Sequence, residues 1–174
     1  YGTCALRSPE LRTIVQQSLL HYHGLECDVG CFVVMPNHWH LLIRPHAGVS
    51  LEDLLRRIKG YSAWKINRTS ARQGVFWGQE SYDRLVRDAS HLIAVMRYIV
   101  LNGRKAGLPS TEFTVWVNPD WEASGWTADA VIVDVLICLP PLYINDAGCN
   151  PRSPQELTWL VCGLLKSRNT FEAE

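Results

Sequence analysis

Cys31-Phe32-Val33-Val34-Met35-Pro36-Asn37-His38-Trp39-His40-Leu41-Leu42-Ile43 is the stretch on which the reading of this chain turns. The apolar, β-branched run Cys31 to Val34 and the apolar run Leu41 to Ile43 flank a Met-Pro-Asn turn, which predicts a pair of antiparallel strands. On a strand, residues two apart share a face. His38 and His40 are therefore expected to project together, with Trp39 driven into the opposite face. Two convergent imidazoles make a partial metal site or a clamp on a phosphate; a chance His-X-His on a solvated face is the ordinary alternative. His21-Tyr22-His23 provides a contrast within the same chain. It lies at the end of a segment of helical period, where two residues are separated by roughly 200° of rotation, so His21 and His23 diverge as surface or helix-end residues.

The chain around the hairpin divides into short elements. Ser8-Pro9-Glu10 opens a helix with an N-cap, a proline in the first turn and an acid favourable to the dipole; it runs to about His23 and stops at Gly24. A strand from about Glu26 to Val34 and the histidine strand from about His38 to Arg44 follow. Ser50 caps a second helix, on which Leu51, Leu54, Leu55, Ile58, Tyr61 and Lys65 mark one face. A strand is expected from Ser81 to Val86, and a third helix opens at Ser90 and ends at Gly103. The order lacks the β-α-β alternation of doubly wound folds and fits an α+β layer, with an antiparallel sheet and helices on one face. A sheet this small wants another strand ahead of the first helix, and Tyr1 to Leu6 barely suffices.

Composition narrows the class. With 174 residues and 47% hydrophobic content the chain suits one soluble domain, or one domain plus an appendage. Its formal charge of +0 conceals a division. Residues 50–110 carry eleven Lys/Arg against five Asp/Glu, whereas residues 111–174 carry three against nine. A basic middle beside a phosphate-handling site suggests a polyanionic partner, a solvated helix face being the plainer reading. The six cysteines show no metal-like spacing, and several lie in apolar runs, which points to reduced, buried thiols in a cytoplasmic protein. The longest apolar run, Ala130 to Leu142, is too short and too interrupted to span a bilayer.

On the third helix, Tyr98 and Asn102 stand four residues apart, one above the other on one face. A hydroxyl and a carboxamide so placed can present a nucleophile and a neutral ligand to a shared point. A core tyrosine with an asparagine near the helix end is the alternative.

Three blocks together carry a family resemblance. Val34 to Ile43 resembles the histidine–hydrophobic–histidine (HUH) signature of single-tyrosine transposases. Gln79-Glu80-Ser81-Tyr82-Asp83-Arg84-Leu85-Val86-Arg87-Asp88 and Tyr98-Ile99-Val100-Leu101-Asn102-Gly103-Arg104-Lys105-Ala106-Gly107-Leu108 resemble two further blocks of the REP-associated tyrosine transposases, IS200-like proteins acting on single-stranded DNA hairpins. The resemblance covers roughly Pro9 to Leu108. It implies a ferredoxin-like α+β domain over residues 1–110, followed by an acidic C-terminal extension, 111–174, of unassigned role.

The resemblance further implies that His38 and His40 hold Mg²⁺ or Mn²⁺ with Asn102, and that Tyr98 is the nucleophile, forming a 5′-phosphotyrosine. The activity implied is metal-dependent cleavage and strand transfer of single-stranded or hairpin DNA by a homodimer. Arg56, Lys59, Lys65, Arg68 and Arg84 are the candidate DNA contacts, with Trp64, Phe76 and Trp77 as stacking candidates that core packing would claim first. Two departures stand out: Gly103 follows the asparagine where relatives carry proline, and the family's central first strand has no counterpart ahead of Ser8, leaving the domain N-terminally truncated. A relative that binds hairpins without cutting them is the alternative reading. Within the extension, Val131–Leu139 is expected as a strand and Ser153–Lys166 as an amphipathic helix.

Overall fold

The computed structural model describes residues 4–78, 81–123 and 159–164. After a single 3-10 turn (Ala5–Arg7), the elements run α1 (Pro9–Leu20), β1 (Cys27–Val34), β2 (Trp39–Pro45), α2 (Leu51–Thr69), β3 (Ser81–Leu85), α3 (Ala89–Lys105), β4 (Thr114–Val117), the short α4 (Pro119–Ala123) and β5 (Leu160–Leu164). The strands form one antiparallel sheet in the order β3-β5-β2-β1-β4. The hairpin is as expected: β1 pairs with β2 from Val34↔Trp39 to Cys27↔Pro45, with an irregularity between Val29 and Cys31.

Strand alternation divides the core into two layers. Phe32, Val34, Trp39, Leu41 and Ile43 face α1 and α2, joined by Leu11, Val15, Leu19, Leu54, Ile58 and Ile66. Cys31, Val33 and Leu42 face the other way and meet Leu92, Val95, Met96 and Ile99 of α3. The sheet is antiparallel and the class α+β, but helices cover both faces rather than one. The reason is that β1 and β2 are apolar on alternate residues of either parity, so each face needs a cover.

Three sequence expectations change. The apolar face of α2 runs through Ser62 and Ile66, both buried, while Tyr61 is 53% exposed. Helix α3 passes through Gly103, and its N-cap is Asp88, which accepts from the His91 amide at 2.8 Å. Gly103 is buried because the Phe113 ring lies where a Cβ would project, 2.5 Å away. The helix stops instead at Gly107, whose φ of +69° closes a reciprocal cap: Leu108 N–H donates to Gly103 O and Gly107 N–H to Arg104 O. Finally, Leu160–Leu164 is a strand where a helix was expected. A central strand reads as a continuous apolar run, which periodicity alone does not separate from a buried helix.

Beyond residue 110, β4 and β5 belong to the same sheet as the hairpin. Strand β5 lies between β2 and β3. The expected strand at Val131–Leu139 lies outside the described residues. Buried Arg12 ties the two parts together: it donates to the carbonyls of Leu6 and Arg7 near the start and of Thr111 beyond α3, and to Thr114 Oγ1 on β4. Cys27 and Cys31 are buried free thiols, and burial pushes that of Cys27 up to about 12. No described helix is long and apolar enough to cross a membrane.

Candidate active site

The tight Pro36-Asn37 turn, closed by Met35 N–H donating to His38 O at 2.8 Å, delivers His38 to the start of β2. His40 follows within the strand, opposite Val33 of β1, on the face covered by α3. The two imidazoles lie edge to face with centroids 5.0 Å apart, so the convergence read from their spacing is present. His38 Nδ1 lies 2.7 Å from Asn37 Oδ1. An amide oxygen only accepts, so Nδ1 carries the proton and the lone pair of His38 is left on Nε2. The sequence marks Asn37 only as a turn residue, and its place beside a candidate histidine is the signal of this second role.

Helix α3 brings Tyr98 onto the histidine pair. Its hydroxyl lies 3.4 Å from His40 Nε2, and the two rings meet edge to face at 5.1 Å. Tyr98 is nevertheless 46% exposed, so the phenol is open to a large substrate. Asn102 is half-buried one turn further along the same helix. Burial first, and the neighbouring His38 second, push the His40 imidazole down to about 4; burial also lowers His38. Both rings are thus neutral near pH 7 and keep lone pairs for a ligand. Among the described residues no cluster of three or more His, Cys, Asp or Glu surrounds a metal position. Two neutral imidazoles are borderline ligands for divalent first-row ions, and they leave positions for substrate oxygens.

The expected DNA contacts separate between the two faces. Arg56, Lys59, Lys65 and Arg68 belong to α2, on the layer opposite His40 and Tyr98. Arg56 pairs with Asp53 at 2.8 Å, and with Lys59, Phe76, Trp77 and Asp83 it lines an open cleft of about 600 Å³. Arg68 lies over the ring of Trp64, which is 54% exposed, while Phe76 and Trp77 are buried. Exposed Arg84 sits on β3 in the row of Val161 and Leu42, hence on the α3 face with His40. His21 caps the end of α1, and His23 Nδ1 accepts from the Val29 amide, so neither joins the site.

The family model described as "Transposase IS200 like" matches residues 7–102. The chain belongs to the IS200-like transposase family. Comparison with curated proteins and with solved structures returns no match. The matched span runs through α1, the hairpin, α2 and β3 and ends at Asn102, so it includes His38, His40 and Tyr98. Membership makes this IS200-like transposase a DNA-processing protein. Strands β4 and β5 of its sheet lie beyond the matched residues.

Proposed function

We propose that this chain is a single-tyrosine transposase of the REP-associated branch, cutting and rejoining single-stranded DNA at hairpins. The observation that supports the reading best is the contact of the Tyr98 hydroxyl with His40 Nε2 across the helix–sheet interface, beside a second neutral imidazole. Tyr98 is the nucleophile: its oxygen bonds to phosphorus in line with the leaving group, the bond to the 3′-oxygen breaks, and that oxygen leaves as a hydroxyl with a proton. The 5′-phosphate remains on tyrosine until a 3′-hydroxyl attacks, restores the phosphodiester and releases the phenol. No water enters, so one difficult transfer becomes two reversible ones.

His38, His40 and Asn102 would hold Mg²⁺ or Mn²⁺, which when bound supplies Lewis-acid polarisation of the scissile phosphate. The Asn37 side chain fixes the His38 tautomer, the role usual for an outer partner of a ligating imidazole. An ion held by His40 Nε2 would occupy the nitrogen that now faces the Tyr98 hydroxyl at 3.4 Å. Arg84, on the same face, is the candidate phosphate contact near the chemistry, whereas the cations of α2 would hold DNA remote from it.

Titration calorimetry with Mn²⁺ alone, followed by cleavage of a labelled hairpin and of a blunt duplex of the same sequence, tests the reading. One bound ion, lost in His38→Ala, and cleavage of the hairpin in preference to the duplex are expected. Equal ion binding by His38→Ala, or preference for the duplex, would overturn it. Hairpin binding without cleavage under any metal would favour the binding-only relative.

A further inference from the structure

Helix α2 carries an aromatic and cationic stripe that its packing does not use. Tyr61, Trp64, Lys65 and Arg68 recur at intervals of three, four and seven residues, so they share one side of the helix. All four are exposed, while Leu54, Ile58, Ser62 and Ile66 occupy the side turned to the core. The two rings meet each other, with centroids 5.9 Å apart and planes tilted by 42°. The Arg68 guanidinium lies 5.7 Å from the centroid of the Trp64 ring. Both aromatics leave about half of their surface in water. Tryptophan is highly buried on average, and an apolar patch left open within a rim of charge marks an interaction surface.

The charge around the stripe has one sign. From Leu54 to Gln79 the chain holds six cations, Arg56, Arg57, Lys59, Lys65, Arg68 and Arg72, and no acid. Arg56 pairs with Asp53 and Arg57 with Glu26, both acids from outside that span. Rings set among lysine and arginine match an unpaired nucleic-acid strand, in which each base offers a flat apolar face and each link a phosphate. A duplex keeps those faces within its own stack. A second copy of this chain, meeting the stripe through the same patch, would bring cations against cations, and like charges oppose association.

We propose that Tyr61 and Trp64, with Lys65 and Arg68, form a stacking surface for the unpaired bases of single-stranded DNA. Bases stack on the two rings, and the two cations take the phosphates alongside. The stripe belongs to the layer opposite His40 and Tyr98, so the strand it holds flanks the hairpin and is not the link that is cut. Recognition by stacking tolerates any sequence, since every base has a π-face. That the partner is DNA rests on the function proposed above; the surface itself rests on exposure, spacing and charge.

The test follows the fluorescence anisotropy of a labelled oligothymidine, and of a blunt duplex, with the metal-free full chain and with Trp64→Ala, Trp64→Phe, Tyr61→Ala and Arg68→Gln. Trp64→Ala should weaken oligothymidine binding about tenfold and leave its salt slope unchanged, because stacking releases no counterions. Tyr61→Ala should act in the same direction, and Trp64→Phe should recover most of the affinity. Arg68→Gln should instead reduce the salt slope by about one. Duplex binding should be little changed in Trp64→Ala, and the urea midpoint should hold because the ring is exposed. No binding of oligothymidine by the unmutated chain, or an equal loss for both DNAs in Trp64→Ala, overturns the proposal. Oligothymidine affinity intact in Trp64→Ala overturns it too. In that event a shift from dimer to monomer on sedimentation would assign the stripe to a second copy, and lost binding to anionic phospholipid vesicles would assign it to a membrane surface. Oligothymidine binding through Trp64 by a chain that cuts no hairpin would support the stacking surface and count against the nuclease reading alone.

Discussion

His40 is held neutral by its surroundings, and that has a consequence for stability in the metal-free protein. Burial lowers its pKa to about 4, so between that value and the ordinary histidine range near 6.5 the unfolded chain binds a proton that the folded one does not. The contribution is fully present above pH 6.5 and is lost as pH falls through this window; for a half-buried group it amounts to about 2 kcal/mol. Urea unfolding at successive pH values should show this decline, and His40→Gln should flatten it; an equal decline in His40→Gln would assign the effect to other groups. Arg12 is a second buried group with a defined task. Its guanidinium serves three carbonyls and a threonine hydroxyl, and burial lowers its pKa. Arg12→Met should cost about 2–4 kcal/mol by leaving those acceptors without donors, and Arg12→Lys should recover only part, because a point charge does not reproduce the fork. Urea midpoints at constant slope measure both. The histidine pair and the Tyr98–Asn102 spacing were legible because strand and helix periods fix which residues share a face. Arg12 was not, since its partners are three backbone carbonyls and a hydroxyl as far away as Thr114.

At the scale of elements, the N-caps at Ser8 and Ser50 were readable because both motifs are local: each side chain accepts from an amide three residues on. The end of α3 was not readable. Glycine stops a helix when its φ is positive, but it also permits close packing, and only tertiary structure distinguishes Gly107, at φ +69°, from Gly103 against Phe113. Gly103→Ala should therefore destabilise by about 1–3 kcal/mol despite alanine's better helix propensity, and Phe113→Leu in the same chain should return part of the loss. A stabilising Gly103→Ala would show that Phe113 moves aside freely. Tyr61 was assigned to the buried face of α2 because an aromatic outweighs a serine in any hydrophobic pattern. The buried position belongs to Ser62, whose hydroxyl bonds back to Ile58 O and accepts from Trp77 Nε1 at 2.9 Å. A polar residue satisfied in this way leaves no trace in periodicity.

For the whole molecule, the charge division of the sequence does not map onto one surface. The α2 cations lie behind the sheet and Arg84 lies in front, so binding and chemistry should respond differently to substitution. Hairpin affinity should fall roughly 10²-fold or more between about 50 and 200 mM salt if several phosphates are neutralised. Arg68→Gln should reduce the salt slope, while Arg84→Gln should lower the cleavage rate with less effect on affinity; equal effects of the two on both quantities would contradict the separation. The position of β5 was beyond sequence reading because strand order in a sheet is a long-range property, and Leu160 to Leu164 carries no periodic signature. The central claim, that Tyr98 attacks DNA, is tested most directly by trapping the adduct. The chain is incubated with Mg²⁺ or Mn²⁺ and a hairpin labelled at its 3′ end, denatured, and digested for mass spectrometry. The account predicts label covalently attached to the peptide that contains Tyr98, and its loss in Tyr98→Phe with hairpin binding retained. Cleavage that persists in Tyr98→Phe, or label on another residue, would contradict it.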